Sequence, residues 1–206
     1  MDRGGGRSIV IMGNGTPERD VRAEVDGADL VVRFNGCRNF GGASGTRTDI
    51  VAVCNTGQPA REMLAGGWSD LPAVRAATAV WGVRSPDAFA RRRAGVLARR
   101  PELADFFEDR TDDFAAFARA AGKGFLLFGP AVLDRLDADL APLTEGDYVV
   151  PSSGLIAIDH VLNAVAAPGD DVAIAGFGHE GWSGHPFAAE RRLVDRYERD
   201  GRLRRL

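Results

Sequence analysis

Apolar runs of four or five residues recur along the chain, each followed by a glycine-rich or polar stretch and then by residues at a helical period. Ser8 to Met12 reads as a first buried strand, ended by Gly13-Asn14-Gly15. Thr16-Pro17 has the form of an N-cap followed by proline, predicting a helix through about Val25. Asp29 to Phe34, Asp49 to Val53 and Ala77 to Trp81 are the next predicted strands. From Ser85 to about Ala121 the chain is helical and polar, with Pro86 and Pro101 near helix starts. Gly124 to Phe128 fits a strand or a buried turn, and Val149-Val150 a short strand before Pro151. Leu155 to Val165 carries apolar residues at helical spacing, and Pro168-Gly169 stops it. Asp171 to Ala175 is a buried strand ending at Gly176, and Glu190 to Arg202 a charged helix with Leu193, Val194 and Tyr197 inward. Strands alternating with helices predict a single α/β domain over residues 8–206, a mostly parallel central sheet flanked by helices, behind a flexible leader of residues 1–7.

Composition narrows the class of function. At 206 residues, with 45% hydrophobic and 27% charged, the chain suits one globular core. The net charge of −3, with no basic stripe interleaved with aromatics, argues against a nucleic-acid partner. No apolar run approaches the roughly 20 residues of a membrane span, and the leader lacks the apolar segment of a secretory signal. Cys37 and Cys54 form neither a metal-spaced cluster nor a disulfide scaffold, which suits a reducing cytoplasm. Lys123 is the only lysine. That arginine bias indicates a GC-rich, bacterial genome.

Four loops carry polar chemistry where an open α/β sheet binds ligands, beyond the carboxyl ends of its strands. Gly13-Asn14-Gly15-Thr16 begins like a dinucleotide loop, but Glu18 stands where that fingerprint needs glycine. Asn14 is then either a satisfied turn residue or an amide facing a phosphate, base or ribose. Arg33-Phe34-Asn35-Gly36 suits anion and ring recognition, or an Asx turn. Ser152-Ser153-Gly154 precedes a helix, as N-cap or anion site. The loop from Gly176 to Glu190 holds His179 and His185, two of three histidines. A loop histidine is a candidate general base, and Glu190 is placed to orient His185. His160 lies in the apolar-periodic helix and reads as structural. Asp137-Ala138-Asp139 has the form of a metal-binding Asp-x-Asp but falls in a helix-like run, so no metal site is expected.

In series these pieces resemble the sialylmotifs of the sialyltransferase family and its small bacterial relatives. Gly13-Asn14, Asp29-Leu30-Val31-Val32-Arg33-Phe34-Asn35, Gly45-Thr46-Arg47-Thr48 and Asn55-Thr56 follow its long motif. Pro151-Ser152-Ser153-Gly154 through Gly176-Phe177 follow its short motif, and His185 to Glu190 its His-x4-Glu. The resemblance implies a Rossmann-like fold, a variant of the GT-A glycosyltransferase arrangement. It also implies metal-independent transfer from a CMP-linked sialic or related ulosonic acid to an unknown acceptor, with CMP as product and no cofactor required. Gly13, Asn14, Gly15, Arg33 and Asn35 would meet the nucleotide. Ser152, Ser153 and Gly154 would hold phosphate or the donor carboxylate, and Gly176 and Phe177 would line the cytidine pocket. His185 would be the general base, with His179 near the position of a group assisting phosphate departure. The alternatives are a CMP-sugar or nucleotide hydrolase and a non-catalytic nucleotide-binding protein.

Overall fold

The structure, a computed structural model, describes residues 5–206. Residues 1–4 of the expected leader lie outside the described residues. Arg7, also assigned to that leader, is tied down: its guanidinium bonds Asp170 at 2.7 Å and the Val165 carbonyl at 2.7 Å.

Seven strands form one sheet: β1 (Ser8–Met12), β2 (Leu30–Phe34), β3 (Ile50–Val53), β4 (Ala79–Gly82), β5 (Gly124–Leu127), β6 (Asp171–Ala175) and β7 (Arg204–Arg205). Their order is β5-β4-β3-β2-β1-β6-β7, and every neighbouring pair is parallel. Strands buried on both faces should read as unbroken apolar runs; the "IVIM" of β1 and "IVAV" of β3 do. Side chains alternate between faces. Ile9, Ile11, Val32, Phe34 and Ala52 face a core shared with α4 (Pro86–Arg99), α6 (Pro130–Leu140), α7 (Ser153–His160) and α8 (Phe187–Arg199). On the opposite face Val10, Met12 and Val31 pack with α1 (Arg22–Asp26), while Val51, Val53 and Val80 pack with α2 (Gly57–Ala65), α3 (Pro72–Ala76) and α5 (Thr111–Ala120). The expected single α/β domain with a parallel, helix-flanked sheet is what forms. No helix among the described residues is long and apolar enough to cross a membrane.

Helix α8 shows how charge density and burial coexist. Ala189, Glu190, Leu193, Val194 and Tyr197 share one buried face, and each large apolar side chain there contributes about 1.5–3 kcal/mol. Proline begins α4 and α6 as N1 residues free of any N–H to satisfy. Helix α7 runs into a π-helical turn over Val161–Val165.

Three local expectations are corrected. The helix expected from Thr16 begins only at Arg22, because the Asp20 carboxylate captures the Arg22 N–H at 2.9 Å while Val21 N–H is drawn to the Ala43 carbonyl at 2.8 Å. Glu18 therefore lies outside any helix. Val149 and Val150 join no ladder: both amides reach the Gly184 carbonyl, at 2.9 and 3.4 Å, so the segment is fastened to a loop and not to the sheet. Strand β7 was not expected. It forms because Arg204 pairs with Asp171 at 2.8 Å and Leu206 N–H reaches the Ile174 carbonyl at 3.0 Å.

Candidate functional site

The strand order fixes where a site can form. From β1 the chain steps outward through β2, β3, β4 and β5, then returns to place β6 on the other side of β1. The loops leaving β1 and β6 therefore border a crevice at this switch point. The glycines allow these loops to touch. Gly13 N–H donates to the Ala175 carbonyl at 2.8 Å and Gly15 N–H to the Gly176 carbonyl at 2.8 Å. A Cβ on Gly13 would lie 2.2 Å from the Gly176 oxygen, and Gly176 itself holds a left-handed φ of 72°.

A cleft of about 450 Å³ opens there, and twelve of the thirteen expected site residues line it. Asn14 and Asn35 stand at the ends of β1 and β2. The Asn14 side-chain oxygen accepts from Arg38 N–H at 3.2 Å, and that of Asn35 from Cys54 N–H at 2.8 Å. Both are thus turn-fixing residues whose amide groups remain on the cleft wall. Ser152 caps α7, accepting from Leu155 N–H at 3.2 Å. Phe177 lies close enough to Gly154 that a Cβ there would meet its ring at 2.8 Å, and it meets Phe34 edge to face with ring centres 5.8 Å apart.

Arg33 is the exception. It is 2% exposed and sends its guanidinium to the Ser44, Gly45 and Arg47 carbonyls, at 2.7 to 3.1 Å. It organises the Gly41–Gly45 turn and is not on the cleft wall, because three backbone acceptors offer it better partners than solvent.

The expected pairing of Glu190 with His185 is also corrected. Glu190, 1% exposed, accepts both the N–H and the hydroxyl of Ser152 at 2.6 Å. Burial raises its carboxyl above the usual range, opposed by the two Ser152 bonds. His185 turns instead to the Val150 carbonyl, Nδ1 to oxygen 2.8 Å. A carbonyl only accepts, so Nδ1 carries the proton and Nε2 is left as an acceptor. The ring meets Trp182 and Phe187 edge-on, centres 4.9 and 5.3 Å away. Burial, with a smaller contribution from the Arg84 charge, pulls His185 down to about 4, against the Val150 bond that favours its cation. His179 adopts a left-handed φ of 50°, with Nε2 buried and without a partner.

A depressed histidine makes a signed prediction. The folded state binds this proton more weakly than the unfolded chain, so the stability tied to neutral His185 is complete above pH 6.5 and declines as pH falls towards 4. Ring-resonance titration by NMR should keep His185 neutral through pH 5; a midpoint between 6 and 7 would refute the buried geometry.

His160 stacks on Phe128, ring centres 3.9 Å apart, and meets Trp81 at 5.3 Å, a packed position outside the cleft. Asp137 bonds Arg92 and accepts from the Tyr148 hydroxyl at 2.6 Å, joining α4 to α6 and the loop after it. Two residues not singled out in the sequence matter here. Arg38 is the exposed cation of the cleft wall, three positions after Asn35. Arg84 lies buried just past β4; its signal was an arginine following the apolar "AVWGV" run.

No protein-family model matches the chain. A curated protein of Rhizobium meliloti (strain 1021), named urease operon 23 kDa accessory protein, is 51% identical over 202 residues, covering 98% of this chain and 93% of that protein. Two crystal structures of a mammalian sialyltransferase, one in complex with Gal-beta-1-3GalNAc-ortho-nitrophenol, match with TM-scores of 0.55 and 0.56. They cover 98% of this chain and 69% of theirs, at 15% and 16% identity. That likeness is one of fold. The expectation of a sialyltransferase is overturned by the relative at 51% identity, which carries a different name and role over nearly the whole chain. CMP-sugar transfer, the assignment as an enzyme, and the nucleotide-based alternatives rested on that family and fall with it. In this chain the motif residues serve as glycine turns, turn-fixing asparagines and a helix cap, and a shared fold does not by itself carry a shared function.

Proposed function

Since the chain belongs to the family of the Rhizobium meliloti urease operon 23 kDa accessory protein, we propose that it is itself a urease accessory protein. In this reading it supports urease production by non-catalytic contact with another protein of that system. The observation that carries the reading is the 51% identity across 98% of the chain. The site chemistry is compatible with it: His185 is held neutral against a backbone carbonyl, and Glu190 is spent on holding Ser152. Glu190 is therefore engaged and not free to act on a ligand, while Nε2 of His185 remains an acceptor. The strand-end cleft is then a recognition surface, with Asn14, Asn35 and Ser153 as its polar contacts and Phe177 and Trp182 as its apolar ones. No cofactor is invoked. Cytoplasmic residence goes with this role, supported by the two buried free thiols of Cys37 and Cys54.

The experiment is an in-frame deletion of this coding sequence in a strain that makes urease. Urease activity per cell should fall several-fold while urease subunit levels, read by immunoblot, stay unchanged, and the chain supplied in trans should restore it. Unchanged urease activity in the deletion strain, under conditions where the enzyme is expressed, would overturn the role.

A further inference from the structure

The sheet has two edges, and they are built differently. At one stands β7, two residues long and both of them arginine, Arg204 and Arg205. Shortness and charge are the usual means by which an edge refuses another strand. The opposite edge is β5, four residues without a charge. Leu126 on it is 42% exposed, the one exposed large apolar side chain among the described residues. Lys123 adjoins the strand but does not guard it. Its Nζ donates to the Ala77 carbonyl, and to that of Arg75 at 3.1 Å, so its charge is held against the chain leading into β4.

The main-chain groups on this edge follow from the register. Gly124 N–H donates to the Thr78 carbonyl and Phe128 N–H to the Gly82 carbonyl, each at 2.9 Å. With Trp81 opposite Leu126, the even-numbered residues of β5 turn both their groups to β4. Phe125 and Leu127 turn theirs outward, where no strand follows. The free run is bounded at both ends. Lys123 N–H is taken by the Ala118 carbonyl at 2.8 Å, and the Gly129 carbonyl accepts from Val132 N–H at 3.3 Å. A free N–H together with a free C=O is left at Phe125 and at Leu127, symmetrically about Leu126. No bulk stands in the way at the ends: a Cβ on Gly122 or Gly129 would meet nothing within 4 Å.

That symmetry names the occupant. A two-fold axis at Leu126 sets Phe125 opposite Leu127 of a second, antiparallel copy, and Leu127 opposite its Phe125. Both are hydrogen-bonded pairs, so every one of these outward groups finds a partner. Leu126 then faces its own equivalent in a non-hydrogen-bonded pair, where opposed side chains come closest and lie on the same face. Each covers the apolar surface the other exposes. A register shifted by two residues would set one of these pairs against Lys123 or Gly129, where an N–H or a C=O is already engaged.

We propose that β5 is a self-association edge, at which two copies of the chain join antiparallel across a two-fold axis at Leu126 and merge their sheets into one. The contact is isologous, so it closes with two copies. Strands β4, β3 and β2 separate β5 from β1, so the cleft beside β1 stays open in both copies. The pairing goes beyond the accessory role and does not depend on it.

The test is sedimentation velocity of the full chain over a hundredfold concentration range in the micromolar regime, with amide hydrogen exchange followed by NMR on either side of the transition. Wild type should pass from monomer to dimer, and the Phe125 and Leu127 amides should exchange at least tenfold more slowly in the dimer. L126K and L126E, which set like charges against each other at the two-fold, should each stay monomeric. Both should melt with the wild-type monomer, because the side chain they replace is exposed. An equimolar mixture of L126K and L126E should recover the dimer, since opposite charges then meet. A monomer at every wild-type concentration would overturn the pairing and leave the edge to solvent or to a strand of another protein. A dimer that L126K leaves intact would overturn it too. So would a dimer whose Phe125 and Leu127 amides exchange as fast as in the monomer, a result that needs no variant.

Discussion

Replacing Gly13 by alanine is expected to destabilise the protein by about 2–3 kcal/mol, the upper part of the range for overfilling a packed interior. For a domain of this size that is a fall of roughly 5–10 °C in Tm. The new methyl would lie 2.2 Å from the Gly176 oxygen and 2.7 Å from its carbon. Neither backbone can yield freely. Gly13 N–H is bound to the Ala175 carbonyl at 2.8 Å, and Gly176 is confined on its other side, where its own Cβ direction meets the Gly15 oxygen at 2.5 Å. Relief requires β1 and β6 to part at their carboxyl ends, which opens the cleft at its base. Gly36→Ala is the control, because a Cβ there has nothing within 4 Å. A melt of Gly13→Ala within a degree of wild type would show that the strand ends are not in contact.

Glu190→Ala should cost a comparable amount, about 2–4 kcal/mol. Hydrogen bonds to a charged group are worth about 1.5–3 kcal/mol each, and the stranded partners add a desolvation penalty. Here one carboxylate holds both the N–H and the hydroxyl of Ser152 at 2.6 Å, and Ser152 in turn caps α7. The same residue gives a pH signature. Burial raises the folded-state carboxyl, so the native protein binds this proton more tightly than the unfolded chain. Its contribution to stability therefore grows as pH falls through the window just above the ordinary carboxylate range, and diminishes as pH rises through the folded value. Glu190→Gln should remove that dependence while retaining more stability at neutral pH than the alanine variant. Urea unfolding from pH 4.5 to 7 measures it. A constant difference between wild type and Glu190→Gln across that range would contradict a raised carboxyl.

The sequence carried the architecture because buried parallel strands are largely apolar runs: "IVIM", "VVRF" (broken only by Arg33) and the "VAIA" after Asp171 announce β1, β2 and β6 within a residue. Local rules failed where a distant partner outbid them. Thr16-Pro17 has the form of a helix start, yet Asp20 and the Ala43 carbonyl claim the amides that would have begun it. Strand β7, two arginines long, is specified by Asp171 on its neighbour and not by its own composition. The cleft was legible since strand-end loops rich in glycine, asparagine and serine have few other uses. Roles within it were not. Glu190 and His185 sit five residues apart in the chain, but Ser152 and Val150 lie nearer in space and take their hydrogen bonds. Arg33 and Arg84 are both arginines leaving apolar strands. Only tertiary contacts distinguish the one satisfied by three carbonyls from the one whose buried Nε has no acceptor among the described residues. The motif series pointed to a family that the relative at 51% identity overturns, because the residues that carry it also make local turns and caps whose presence does not specify chemistry.

The placement of β6 beside β1 also sets an order in time. The first strand of the chain is central, and the partner that closes its second edge is encoded about 160 residues later. During synthesis at ~5–20 residues per second, the amide edge of β1 stays open for roughly ten to thirty seconds after β1 itself emerges. Helices α4, α6 and α7, which share the core of Ile9 and Ile11, are all encoded before β6, and β7 joins β6 only afterwards. The cleft cannot close before β6 and the loop after it are made, and a nascent chain halted before Asp171 presents an apolar strand edge to whatever protein meets it first.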